Sequence, residues 1–248
     1  MIVHLRSLLF SFLFFAFVES IVYFSLFDKY GGWLLFFVAC FGIFVSRIVG
    51  KRFLFAILTV SLGLSSIGLL YFIDNLQEKQ IFGALVSLLF YMLLLGIKRI
   101  SDNPFDMTAR SLFSSALIAI VFLFYSVVYG IYINFDVPLW LFMLIHFVFV
   151  ASVTFVSLRA YSSNYKRIFL YSLVIAFAMA QLVWMANFWP FGYLTTATIS
   201  LMFYYVLWDL VQMFFLDTLS KKHIITTIVY CVALVIMLLL TTQWLLLN

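Results

Sequence analysis

Nine apolar runs of about 20 residues each, joined by short polar links, follow one another along this sequence. No other feature constrains the fold as strongly. The runs cover residues 7–27, 32–49, 53–73, 80–97, 111–133, 138–158, 168–189, 191–216 and 224–247. A hydrocarbon core of ~30 Å is crossed by about 20 residues of helix, so a chain of 248 residues has no room for a soluble domain between nine such runs. Strands of a membrane barrel alternate apolar and polar positions over about 10 residues. Stretches such as 224–240 are apolar at consecutive positions instead. The sequence therefore predicts an all-α integral membrane protein, a polytopic helical bundle of nine transmembrane helices, forming a single transmembrane domain over residues 1–248.

Composition closes off the alternatives. Hydrophobic residues make up 67% of the chain and charged ones 9%, with a mean hydropathy of +1.22. Soluble domains carry roughly 25% charged residues, and disordered chains are poor in aliphatic and aromatic side chains. The chain holds 32 Phe, large enough to fill gaps between helices and apolar enough to face lipid. Cys40 and Cys231 lie inside apolar runs and read as small hydrophobes rather than as a disulfide framework or a thiolate metal site. No cofactor is expected.

The basic residues test the number of crossings. With a cytoplasmic N-terminus and nine spans, 12 of the 14 Lys and Arg fall inside, and only Lys29 and Lys79 fall outside. This is the positive-inside asymmetry of short loops, and one span miscounted would scramble it downstream. It also absorbs the net charge of +5, leaving no case for nucleic acid. The expected location is a prokaryotic inner membrane, with the C-terminus outside and Gln243, Trp244 and Asn248 at the interface. Glu19 interrupts the first run and no small-residue cleavage site follows, so that run is expected to stay as a helix rather than act as a signal peptide.

Ionisable groups inside a span are costly and mark cavities or partners. Glu19 and His146 sit about 12 Å below the outer boundary, and Gln181 and Thr198 about 10 Å below it. These four form one polar layer on four helices. It reads either as an outward-facing chamber for a small solute or proton, or as a hydrogen bond joining helices, with Glu19 paired to His146 or Gln181. Asp209, with Lys221 and Lys222 just beyond, reads as an anchor at the inner interface.

The link from Lys98 to Arg110 is the longest, and it carries Arg99, Asp102 and Asp106 as well. Asn103-Pro104-Phe105-Asp106 has helix-start chemistry, which predicts a helix from Pro104 with Asn103 as its cap. Two Asp beside three cations could alternatively hold Mg²⁺ against a lipid phosphate. Pairs of small residues at i, i+4 spacing, such as Thr59/Gly63 and Gly83/Ser87, predict close helix packing.

Other chemistries lack their residues. There is no mid-span Lys for retinal, no second intramembrane His for haem, no HExxH, no Gly-x-Ser-x-Gly and no phosphate-binding loop. The sequence reads as a non-enzyme: a small transporter, or a membrane subunit of a transport or assembly complex, with membrane lipids and other membrane proteins as partners. Two alternatives stand beside it: an enzyme acting on a lipid-linked substrate at the cytoplasmic face, and a structural scaffold subunit.

Overall fold

Several helices in this chain start at side chains that satisfy otherwise unpaired backbone amides. Asn75 accepts from the amide of Gln77 and opens one helix, Asn164 accepts from Arg167 and opens another, and Ser220 accepts from His223 and opens a third. The computed structural model describes residues 2–24, 27–50, 53–103, 106–161, 164–189 and 191–242, with side chains given from residue 5 onward and not for 27–29. Pro104, Pro190 and the terminal Gln243, Trp244 and Asn248 lie outside the described residues.

Among the described residues there are nine helices: α1 (Ile2–Phe24), α2 (Phe27–Gly50), α3 (Ala56–Tyr71), α4 (Leu76–Asp102), α5 (Met107–Asn134), α6 (Leu139–Arg159), α7 (Tyr165–Ala186), α8 (Tyr193–Phe215) and α9 (Lys221–Thr241). A single 3-10 turn, Phe53–Phe55, leads into α3. Nine stretches are long and apolar enough to cross a membrane, as the periodicity predicts and consistent with a multi-pass membrane protein. The helix α2 kinks at Tyr30, directly before Gly31 and Gly32, where a glycine pair weakens the ladder.

The expected start of the fifth helix is corrected. Asn103 is extended and closes α4, its amide bonding back to Arg99. The cap of α5 is Asp106, whose carboxylate accepts from the amides of Thr108 and Ala109 at 3.0 and 3.3 Å and whose carbonyl takes the amide of Arg110. Asp and Asn are comparable caps by chemistry, but Asn103 is taken up in closing α4, and Asp106 is the residue whose side chain reaches the first free amides of α5. Lys98–Asp102 is accordingly helix rather than loop.

Contacts divide the chain into two compact units, residues 1–124 and 125–248. In the first unit α1 packs along α4, with Phe14 stacked on Phe90 at 4.6 Å between centroids. Ser11 donates to the carbonyl of Ser87 across the same seam. The helices α2 and α3 approach backbone to backbone: a Cβ at Gly42 would lie 3.1 Å from the Val60 backbone, and Thr59 donates to the Gly42 carbonyl at 2.9 Å. Small residues at i, i+4 spacing thus serve close packing within the unit, as expected. The same logic joins α4 to the first part of α5, where a Cβ at Gly96 would meet the backbone amide of Phe113 at 3.0 Å.

In the second unit α6 and α7 form an antiparallel pair whose turn is closed by the Arg159 guanidinium, seated 3.8 Å from the centroid of the Tyr165 ring. Several buried hydroxyls find partners on neighbouring helices. Ser157 donates to the Thr154 carbonyl and accepts from the Trp208 indole at 3.1 Å, and Thr154 shares a hydrogen bond with the Tyr204 hydroxyl. Such bonds tie α6 to α8. By contrast α9 has no buried residue.

Candidate functional site

The most built site in the second unit lies where α5 ends, α7 ends and α8 begins. A cavity of about 520 Å³ opens there, within the ~300–1,000 Å³ range of small-molecule pockets. Helix α5 contributes Tyr129, Tyr132 and Asn134 to its wall, and the end of α7 contributes Asn187 and Trp189. Phe191 and Tyr193 close it from the start of α8, with Thr196 one turn further in. Five of the eleven lining residues are aromatic, and none is charged. The rings are held by their neighbours: Tyr132 stacks on Phe142 at 4.2 Å, and Trp189 meets Phe191 edge-on at 6.1 Å.

Tyr129 is the link between this cavity and the interior. It is buried, and its ring lies 5.5 Å from that of His146. His146 is completely buried on α6, with Tyr125 at 4.7 Å and Phe142 at 4.5 Å. Its Nδ1 lies 2.8 Å from the carbonyl oxygen of Phe142. A carbonyl only accepts, so Nδ1 carries a proton, and in the neutral ring Nε2 is then the acceptor. Elsewhere in this interior, Tyr204 on α8 shares a hydrogen bond with Thr154 on α6.

The expected layer of four polar residues is redistributed. His146 is at the heart of this cluster. Thr198 is half-buried and bonded back to the carbonyl of Leu194 at 2.8 Å, so it is Thr196, two residues earlier, that faces the cavity. Gln181 is exposed. Glu19 belongs to the first unit, where its Oε1 lies 3.8 Å from the point a Cβ of Gly83 would occupy, turned toward α4. His146 and Gln181, its expected partners, belong to the second unit.

A second polar site went unrecognised in the sequence. Asp209, near the end of α8, is buried and its Oδ2 lies 2.8 Å from Nε2 of His223 on α9. Thr227 approaches the same ring nitrogen at 3.5 Å. Asp209 is thus a helix-to-helix contact, while Lys221 and Lys222, its expected companions, are exposed. The local sequence builds the pair in two steps. Asp217 adopts φ 54°, and the amide of Thr218 returns to the Met213 carbonyl, which ends α8 in a tight left-handed turn. Ser220 then caps α9 through the amide of His223, which fixes that residue in the first turn. Only the combination of Ser220 three positions before His223 could have signalled this in the sequence.

At the junction of α4 and α5, Lys98 pairs with Asp102 at 2.9 Å along one helix. Arg99 reaches Asp106 at 3.9 Å and the hydroxyl of Thr108 at 3.3 Å. Hydrogen bonds from Thr108 and then from Ala109 hold the Asp106 carboxyl below its ordinary pKa. Arg110 is half-buried at the start of α5. Both carboxylates are engaged by neighbours close in sequence, the arrangement of caps and i, i+4 pairs. Among the described residues no group of three or more His, Cys, Asp or Glu could hold a metal ion. Set against known proteins, the chain matches no family model, no curated protein and no solved structure.

Proposed function

We propose that this is an integral membrane protein of a prokaryotic inner membrane, with a cytoplasmic N-terminus, that transports a small solute through its second unit. The observation that carries the reading is the aromatic cavity whose wall residue Tyr129 packs on the fully buried His146. Monotonous apolar packing would suffice for a scaffold. A buried imidazole ringed by tyrosines is costly in hydrocarbon and is characteristic of membrane proteins that move ions or solutes. The basic-residue asymmetry supports an outward-facing mouth for the cavity. Tyr129, His146 and Tyr204 would line the route, and helix motion would open it.

The test is solute flux in proteoliposomes containing the purified chain. Thr196→Trp, at a buried wall position, is expected to abolish flux at some cost in melting temperature, and Gly192→Trp, where an added Cβ meets nothing within 4 Å, is expected to abolish it with the melting temperature near that of the parent. Equal flux through the plugged variants would overturn the reading. A membrane subunit of a larger assembly is the second reading, favoured by α9, which buries no residue. Recovery of one stoichiometric membrane partner, lost when α9 is deleted, would support it.

A further inference from the structure

We infer that the cavity between α5, α7 and α8 is a subsite for a neutral sugar ring. This rests on the transport reading and deepens it by naming the ligand class. Three properties of the wall select the chemistry. First, no lining residue carries a charge, so a phosphate or carboxylate would lose its hydration without gaining a counter-ion. Second, the polar groups are amides and hydroxyls. Asn134 donates through Nδ2 to the Gly130 carbonyl at 2.8 Å, which fixes the amide and leaves Oδ1 as an acceptor. Asn187, which closes α7, lines the same wall, and a side-chain amide both donates and accepts. An alkyl chain would strand both amides in an apolar site. Third, Tyr132 and Trp189 put aromatic surface on the wall, Tyr132 with one face stacked on Phe142 and Trp189 edge-on to Phe191.

A quaternary ammonium would be attracted to those faces but offers no hydrogen bond to the two amides. A pyranose offers both kinds of surface at once. Its axial C–H bonds form an apolar face that lies on an aromatic ring, and its equatorial hydroxyls donate and accept around the edge, where the asparagines stand. The ring can arrive as a free sugar or as the headgroup of a glycolipid entering from the bilayer, since the recognition chemistry is the same.

The experiment is saturation-transfer NMR on the full chain in phosphatidylglycerol nanodiscs. The probes are D-glucose, D-galactose, N-acetylglucosamine and octyl β-D-glucoside, with phosphocholine and inorganic phosphate alongside. At least one sugar probe is expected to receive saturation, strongest on its axial protons. Trp189→Ala and Asn187→Leu are expected to weaken it at least tenfold, whereas Trp189→Phe retains most of it. Signal from a free sugar assigns a soluble ligand, and signal from octyl glucoside alone that still depends on Trp189 assigns a glycolipid headgroup. Silence of all sugar probes, binding of phosphocholine in their place, or signals indifferent to both substitutions would overturn the inference. Melting curves of each variant verify folding. If a non-sugar solute moves through the protein and Thr196→Trp blocks it, the transport reading stands although the sugar assignment falls.

Discussion

Replacing His223 by Leu removes the partner of a carboxylate that the fold has taken out of solvent. The Asp209 side chain is 10% exposed and the His223 side chain 35% exposed, and their contact is 2.8 Å. Breaking a fully buried pair costs about 3–5 kcal/mol, and an exposed pair is worth about 0–1 kcal/mol. With one partner buried and the other partly wet, His223→Leu should cost about 1–3 kcal/mol. That corresponds to roughly a 5–150-fold change in the equilibrium holding α9 on α8. Since α9 buries no residue, little else opposes its release. Replacing both residues by Leu removes the stranded charge along with its partner and should restore most of the loss. The assay is a double-mutant cycle of unfolding free energies in micelles, combined with amide exchange over α8 and α9. A coupling energy near 1–3 kcal/mol is expected, with exchange rising in residues 223–230 of the single variant and not in α6 or α7. Coupling under about 0.5 kcal/mol, or uniform exchange in the single variant, would refute the idea that this pair latches α9.

Gly96→Leu would drive a side chain into the Phe113 backbone, which cannot turn aside as a flexible side chain would; a loss of about 1–3 kcal/mol is expected by thermal unfolding. Gly32→Ala, with nothing within 4 Å, serves as the near-neutral comparison. The Asp106 cap should depend on pH with a definite sign. Its carboxyl titrates below its ordinary value of 3.8 when folded, so its stabilisation of α5 is present above that value and lost as the pH falls through the depressed one. Protection factors at Thr108 and Ala109, which divide out the intrinsic pH dependence of exchange, should fall on acidification in the parent and stay flat in Asp106→Ala.

Hydropathy alone determined where the nine helices lie, because a run of about 20 apolar residues has one inexpensive conformation in hydrocarbon. Their ends were less legible: the fourth and seventh helices begin a few residues before the apolar runs, at caps Asn75 and Asn164 that hydropathy does not mark. Between Asn103 and Asp106 two equivalent caps competed, and Asn103 was taken up in closing α4.

Depth in the membrane is a coordinate that counting supplies, and on that basis Thr198 and Gln181 joined His146 in one layer. Rotation about the helix axis is a different coordinate. Residues two apart on a helix differ by about 200°, so Thr196 lines the cavity and Thr198 does not, although both hydroxyls bond back along their own helix. Only packing against α5 and α7 fixes that rotation. The same holds for Asp209 and His223, 14 positions apart and brought into contact by a left-handed turn at Asp217. The Ser220–His223 spacing marks the cap of α9, but nothing in the sequence names Asp209 as the partner. The sequence by itself determined the helices and their order; the tertiary structure decided which polar groups share a site, because packing between helices alone decides which side chains come within hydrogen-bonding reach.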